Sequence, residues 1–184
     1  MSHPANTVHT ASPDIRGSHT WGFAMPAPVP GSSHGPVPRA RIDPIVTADQ
    51  ALAVFRLAMS DPLTAETLVM FIDHNGCGHD LVSVGGTTEP NHVIDVAETM
   101  AMCASVNTDI RGLIMATVRP GDGLGDGLGD GLGDGDGDGD DQLWLEAADA
   151  VHQTGLVLIE WFVIGRHGVH SPRELLGVAA RWIA

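Results

Sequence analysis

Between Arg119 and Trp144 lies the tract GDGLGDGLGDGLGDGDGDGDD, residues 121–141, with ten Gly, eight Asp, three Leu and no basic residue. No compact domain can use such a stretch as core. Fixing each residue costs about 1–2 kcal/mol, so ordering the whole tract costs about 20–40 kcal/mol. Three buried leucines return at most about 3 kcal/mol apiece. The tract is therefore expected to be a disordered surface loop, and any fold must close across it. It also skews the charge. The 184 residues carry 23 acids against nine bases, a net −14, and eight of those acids sit in the tract, leaving −6 elsewhere. A chain this acidic gains nothing from counterion release on a phosphate backbone, which disfavours direct nucleic-acid binding.

Residues 1–41 are the second segment without core material. The first forty hold seven of the twelve prolines and four of the ten histidines, with few branched apolar residues. A disordered tail is expected there, with Trp21 and Phe23 the only large aromatic groups that a docking anchor would use. The start of the chain has neither a basic nor an apolar signal region. Its longest apolar run, Gly155–Ile164, is ten residues long and contains Glu160, too short to cross a bilayer. Two cysteines, Cys77 and Cys103, make no disulfide framework. A cytoplasmic protein without membrane attachment is the expectation.

The foldable part, 42–184, alternates between helical and extended periodicity. Thr47 and Gln50 read as a capping box ahead of Leu52, Phe55 and Met59, predicting a helix over 47–60 that stops at Asp61-Pro62. TLVMFID (67–73) reads as a buried strand, His74-Asn75-Gly76 as a hairpin turn, and 80–84 as the returning strand. A second helix is predicted over 93–105, with Val93, Val96, Ala97, Met100 and Ala104 on one face. IRGLIMATV (110–118) is a third, central strand. A helix follows over 142–154 with Leu145, Ala148 and Val151 inward, then a strand over 156–164 and a turn at Arg166-His167-Gly168. Ser171-Pro172 starts a last helix running towards Trp182. The expected class is α/β: a single domain with a mixed central sheet flanked by helices.

Several local patterns invite a chemical reading. Asp134, Asp136, Asp138 and Gly139 match the opening of a calcium loop, but the twelfth position is Leu145, and Glu146 misses it by one. Alternating Asp and Gly produces that match without any site, and weak diffuse cation binding is all it supports. No phosphate loop is credible, because the chain has no Lys. His74, Cys77 and His79, followed by Asp80, offer donors soft enough for zinc, in a spacing that belongs to no strong zinc signature. His167 and His170 flank the last turn, where side chains three apart need not converge. Cys77 next to His74 or His79 has no third group to orient a nucleophile. Cys103, beside Met100 and Met102, reads as a small core residue.

The ordered set MFIDHNGC, Gly86-Thr87, a helix, GLIMATVRPGDG, TGLVLIEWFVIGRHG and a Ser-x-Arg-Glu ending resembles a RadC-like protein of the JAB/MPN superfamily over about residues 47–176. The resemblance implies an MPN/JAB-like domain. In active relatives it also implies the JAMM zinc motif: a Glu on an early strand, His-x-His at the end of a central strand, then a Ser and an Asp. Alternate strand positions share a face, so the two imidazoles point at one zinc and the Asp completes three ligands. The Glu then takes the proton of the zinc-bound water as it attacks an isopeptide-type carbonyl.

This chain departs from that pattern at its centre. The positions corresponding to His-x-His are Ala116 and Val118, and no histidine occurs between His92 and His152. The Asp position falls at Asp140 or Asp141, and the Glu position near Asp80 or Leu81. Arg119-Pro120-Gly121 replaces the family's His-Pro-Ser-Gly turn. The expectation is a catalytically inactive domain without a cofactor, acting as a binding or scaffold module for a protein partner. The alternative is a zinc-dependent hydrolase with ligands rebuilt from His74, Cys77 or His79, with Asp80. The family's association with DNA repair does not by itself transfer an activity.

Overall fold

The computed structural model describes residues 36–120, 139–165 and 168–182. The expectations for the tail up to residue 35, for Trp21 and Phe23, for the Gly/Asp tract over 121–138 and for His167 lie outside these residues.

Five strands form one mixed sheet in the order β2-β1-β3-β4-β5. Helix α1 (Ala48–Ala58) leads into β1 (Glu66–Asp73) and β2 (Gly78–Gly85), and α2 (Pro90–Ser105) into β3 (Ile110–Arg119). Helix α3 (Asp140–Gln153) is followed by β4 (Val157–Gly165), β5 (Gly168–His170) and the single turn α4 (Pro172–Leu175). β1 runs antiparallel to both β2 and β3, β4 antiparallel to β5, and β3 parallel to β4. That parallel pair is why a helix must intervene between them.

β3 is central, as its unbroken apolar run predicts: every residue from Gly112 to Val118 is buried, because both sheet faces are covered. On one face Val69, Met115, Trp161 and Val163 pack against α2 and α3 through Ala97, Trp144, Ala147 and Val151. On the other, Leu68, Met70, Ala116, Val118 and Phe162 pack beneath α1 through Ala51, Leu52 and Phe55. Gly112 permits the close approach of β4, since a Cβ there would lie 2.5 Å from the Val157 carbonyl oxygen.

Local chemistry sets the element ends. Thr47 Oγ1 accepts from the Gln50 amide at 3.3 Å, while Gln50 Oε1 accepts from the Val46 amide at 2.8 Å, so the cap closes one residue earlier than the usual box. Asp73 Oδ1 accepts from the Asn75 and Cys77 amides at 2.8 Å each, and Gly76 takes φ 81° to complete the turn.

Three expectations are corrected. Leu145 points outward at 48% exposure, because the larger Trp144 takes the inward position and the stripe runs through Ala147 and Val151. Cys103 is exposed, because the buried stripe of α2 runs through Ala97, Ala101 and Ala104 and leaves it on the flank of the last turn. The last helix ends after Leu175, where Gly177 at φ 65° turns the chain away. No described helix is long and apolar enough to cross a membrane.

Candidate functional site at the carboxyl end of the central strand

The sheet alternation divides the end of β3 between two environments. Ala116 and Val118 face α1 and are completely buried. Thr117 faces the other way, and Arg119 follows it on that face by the same period. The two faces carry different chemistry.

On the α1 face the ladder pairs Glu66 directly with Val118, and Leu68 with Ala116. Glu66 opens β1 and is only 3% exposed. Its Oε1 accepts from the Ser60 amide at 2.7 Å and its Oε2 from the Ser83 hydroxyl at 2.6 Å. Burial pushes this carboxyl up, but the hydrogen bonds from Ser60 and Ser83 outweigh it and hold the group below the usual carboxylate range. Both oxygens are thereby engaged, one by the second residue beyond α1 and one by β2.

On the opposite face, Asp140 at the start of α3 is 5% exposed and receives both Arg119 Nη atoms, at 3.0 and 2.8 Å. His170 Nε2, from β5, lies 3.1 Å from the second Asp140 oxygen. The carboxylate also sits at a helix N-terminus, where negative charge is favoured. Arg119 and Asp140 are the residues that flank Pro120–Gly139, so this bidentate pair staples the base of the Gly/Asp tract. Next to it runs a buried chain of hydroxyls. Trp161 Nε1 donates to Thr117 at 3.0 Å, Thr117 lies 3.3 Å from Thr67, and Thr67 donates to Thr87 at 3.0 Å. It ties β4, β3, β1 and the loop after β2 together without leaving a buried polar atom unpaired.

The other expected site residues lie elsewhere. Asp141 Oδ1 accepts from the Gln142 amide, beside Asp140 but outside its ion pair. Asp80 is on β2, 58% exposed, and the neighbouring Leu81 pairs with Met70, four rungs from Glu66. The carboxylate that the ladder places beside Ala116 and Val118 is thus Glu66, not Asp80. A strand read as starting at Thr67 omitted it by one residue; the signal was an acid immediately ahead of an apolar run.

The first hairpin does not gather its donors. His74 Nε2 is 3.1 Å from the Thr108 carbonyl oxygen. His79 Nδ1 lies 2.7 Å from Asp80 Oδ2 and 3.2 Å from Arg41 Nη2. The His79 contact, with Arg41 alongside, holds the Asp80 carboxyl below its ordinary range. Cys77 is buried, and burial together with Asp73 and Asp43 pushes its thiol up, the reverse of what a nucleophile needs. Among the described residues, no three His, Cys, Asp or Glu side chains form a group able to hold a metal ion.

The donor set at the end of β3 does not fit zinc. Two of its positions are aliphatic, Asp140 is saturated by a guanidinium, and Glu66 is held by two donors.

Comparison with protein-family models gives no match. Comparison with the curated proteins gives none either.

Proposed function

We propose that this chain is a catalytically inactive RadC-like JAB/MPN domain that acts as a binding or scaffold module for a protein partner. One observation carries the reading. Ala116 and Val118, where an active relative would present paired imidazoles, are fully buried beneath α1, and the carboxylates Glu66 and Asp140 at this end of the strand are already committed to other partners. The mixed sheet, the hairpin turn and the buried Glu160 near the Ser-x-Arg-Glu ending are compatible with the resemblance. The net charge of −14 favours a protein partner over nucleic acid.

The test is elemental analysis of the purified full chain alongside an assay on a fluorogenic isopeptide substrate. The expected result is less than stoichiometric zinc and no metal-dependent cleavage. Stoichiometric zinc that is lost in His74→Ala or His79→Ala, accompanied by cleavage, would replace this reading with the zinc hydrolase.

A further inference from the structure

We propose that the free edge of β2, together with the cavity beside it under α1, is a docking site for an extended peptide that pairs with the strand and inserts one small aliphatic side chain. This rests on the binding-module reading and supplies its site and partner class.

The hydrogen-bond pattern identifies which backbone groups are free. Among the described residues β2 is the outermost strand of the sheet on this side, so a sheet strand pairs with only one of its edges. The Gly86 amide donates to the Ala65 carbonyl at 2.8 Å, which makes Ala65 and Gly86 a hydrogen-bonded rung. Rungs of an antiparallel ladder alternate between bonded and non-bonded. With Thr67 opposite Val84 and Val69 opposite Val82, those pairs are bonded as well. The N–H and C=O groups of Leu81, Ser83 and Gly85 therefore point away from β1. At the start of the strand the equivalent position is covered, because the Arg41 amide donates to the Gly78 carbonyl at 2.8 Å and Pro44 bridges to Cys77. Among the described residues the cover stops there. Three outward rungs at a two-residue spacing are the recognition chemistry of a strand and of no other shape.

A cavity of about 80 Å³ lies where that edge meets the covering segment, lined by Ala40, Ile45, Val54, Met70, Gly78 and Leu81. Its walls are largely aliphatic, with Arg39, His79 and Asp80 the polar residues that also line it. A cavity of about 150 Å³ takes benzene, so this one suits the branched end of a valine or leucine. Gly78 keeps it open, since a Cβ there would come within 3.2 Å of Met70 Sδ and 3.3 Å of Ile45 Cδ1. Leu57 follows Val54 by three positions on α1, placing it along the same flank of the helix, and it is 74% exposed. The free edge thus has apolar surface on the side where alternate residues of an added strand would project.

The full chain, labelled with nitrogen-15, is titrated with a blocked eight-residue peptide of alternating Thr and Val carrying one Leu. Saturable amide shifts centred on Leu81, Ser83 and Gly85 are expected, with hydrogen exchange there slowed at least tenfold. The same peptide N-methylated at alternate residues should not bind, and Ala40→Phe, which fills the cavity from an exposed turn, should weaken binding at least tenfold. The inference falls if the N-methylated peptide binds equally well, if the shifts map elsewhere, or if no saturable shift appears at millimolar peptide. It also falls if those amides are protected without peptide in a concentration-dependent dimer, because the edge would then belong to a second copy. Cleavage of the peptide would count against the binding-module reading itself; absence of binding by a zinc-free chain would remove only the docking site.

Discussion

Replacing Arg173 with Met should cost this domain about 3–5 kcal/mol, the range for breaking a buried ion pair from one side. The ion pair sits at a bulge in β4. Leu113 pairs with Leu158 but Ile114 pairs with Glu160, so two residues of β4 oppose a single step of β3. Glu160 is 1% exposed, and the segment after β5 carries its partners. Arg173 Nε and Nη2 donate to Oε2 at 2.9 and 2.7 Å, while Ser171 Oγ and the Trp161 amide donate to Oε1 at 2.7 and 3.1 Å. Arg173 Nη1 also donates to the Val178 carbonyl. In Arg173→Met, Oε2 keeps no donor and a carboxylate stays buried without its counter-charge. The Arg173 side chain is only 5% exposed, so water does not screen the loss. The second acid beside Arg173, Glu174 at 3.6 Å, is 69% exposed, so losing that pair adds little to the cost.

Such a loss is a large part of the roughly 5–15 kcal/mol that holds a domain together. At about 2–4 °C per kcal/mol for a chain of this size, the midpoint should fall by about 6–20 °C. Urea unfolding at pH 7 measures the free-energy loss and thermal unfolding the midpoint, both followed by the fluorescence of buried Trp144 and Trp161. Adding Glu160→Leu to Arg173→Met should recover most of the loss, since an apolar pair of similar volume needs no desolvation of charge. A single-variant cost below about 1 kcal/mol, or a double variant no better than the single, would refute the argument.

Two further outcomes follow from the end of β3. Glu66 is held below the ordinary carboxylate range, so it contributes stability above that range and loses it as pH falls through its folded value; Asp80 and Asp43, the latter lowered to about 2, act with the same sign. Calorimetry from about pH 6 down to about pH 2.5 should therefore show a shallower decline for Glu66→Gln than for the parent, and parallel curves would contradict the role given to this carboxylate. Installing Ala116→His with Val118→His should yield no isopeptide cleavage and should destabilise the fold by at least about 2 kcal/mol, because both imidazoles enter a packed apolar layer; a stable, zinc-loaded double variant would show that the layer opens readily.

Local signals in the chain were enough to settle most of its secondary structure and its α/β class. The period-two and period-3.6 apolar patterns, the Thr47 cap, the Asn75-Gly76 turn and the unbroken run of β3 place nearly every element, because each depends on neighbours a few residues away. The same patterns left ambiguous which of Trp144 and Leu145 faces inward, since five apolar residues crowd 143–148 and only packing against α2 selects among them. They also missed the short β5 and stretched the last helix, whose end is set by a glycine at positive φ. The chemistry at the end of β3 was legible as an absence, two aliphatic residues where histidines were expected. That Glu66 lies beside them and that Leu81, Ser83 and Gly85 turn their backbone outward were decided by strand register, and that Arg119 meets Asp140 by the packing of α3 against the sheet. These placements join residues 11 to 52 positions apart, and no local periodicity encodes them.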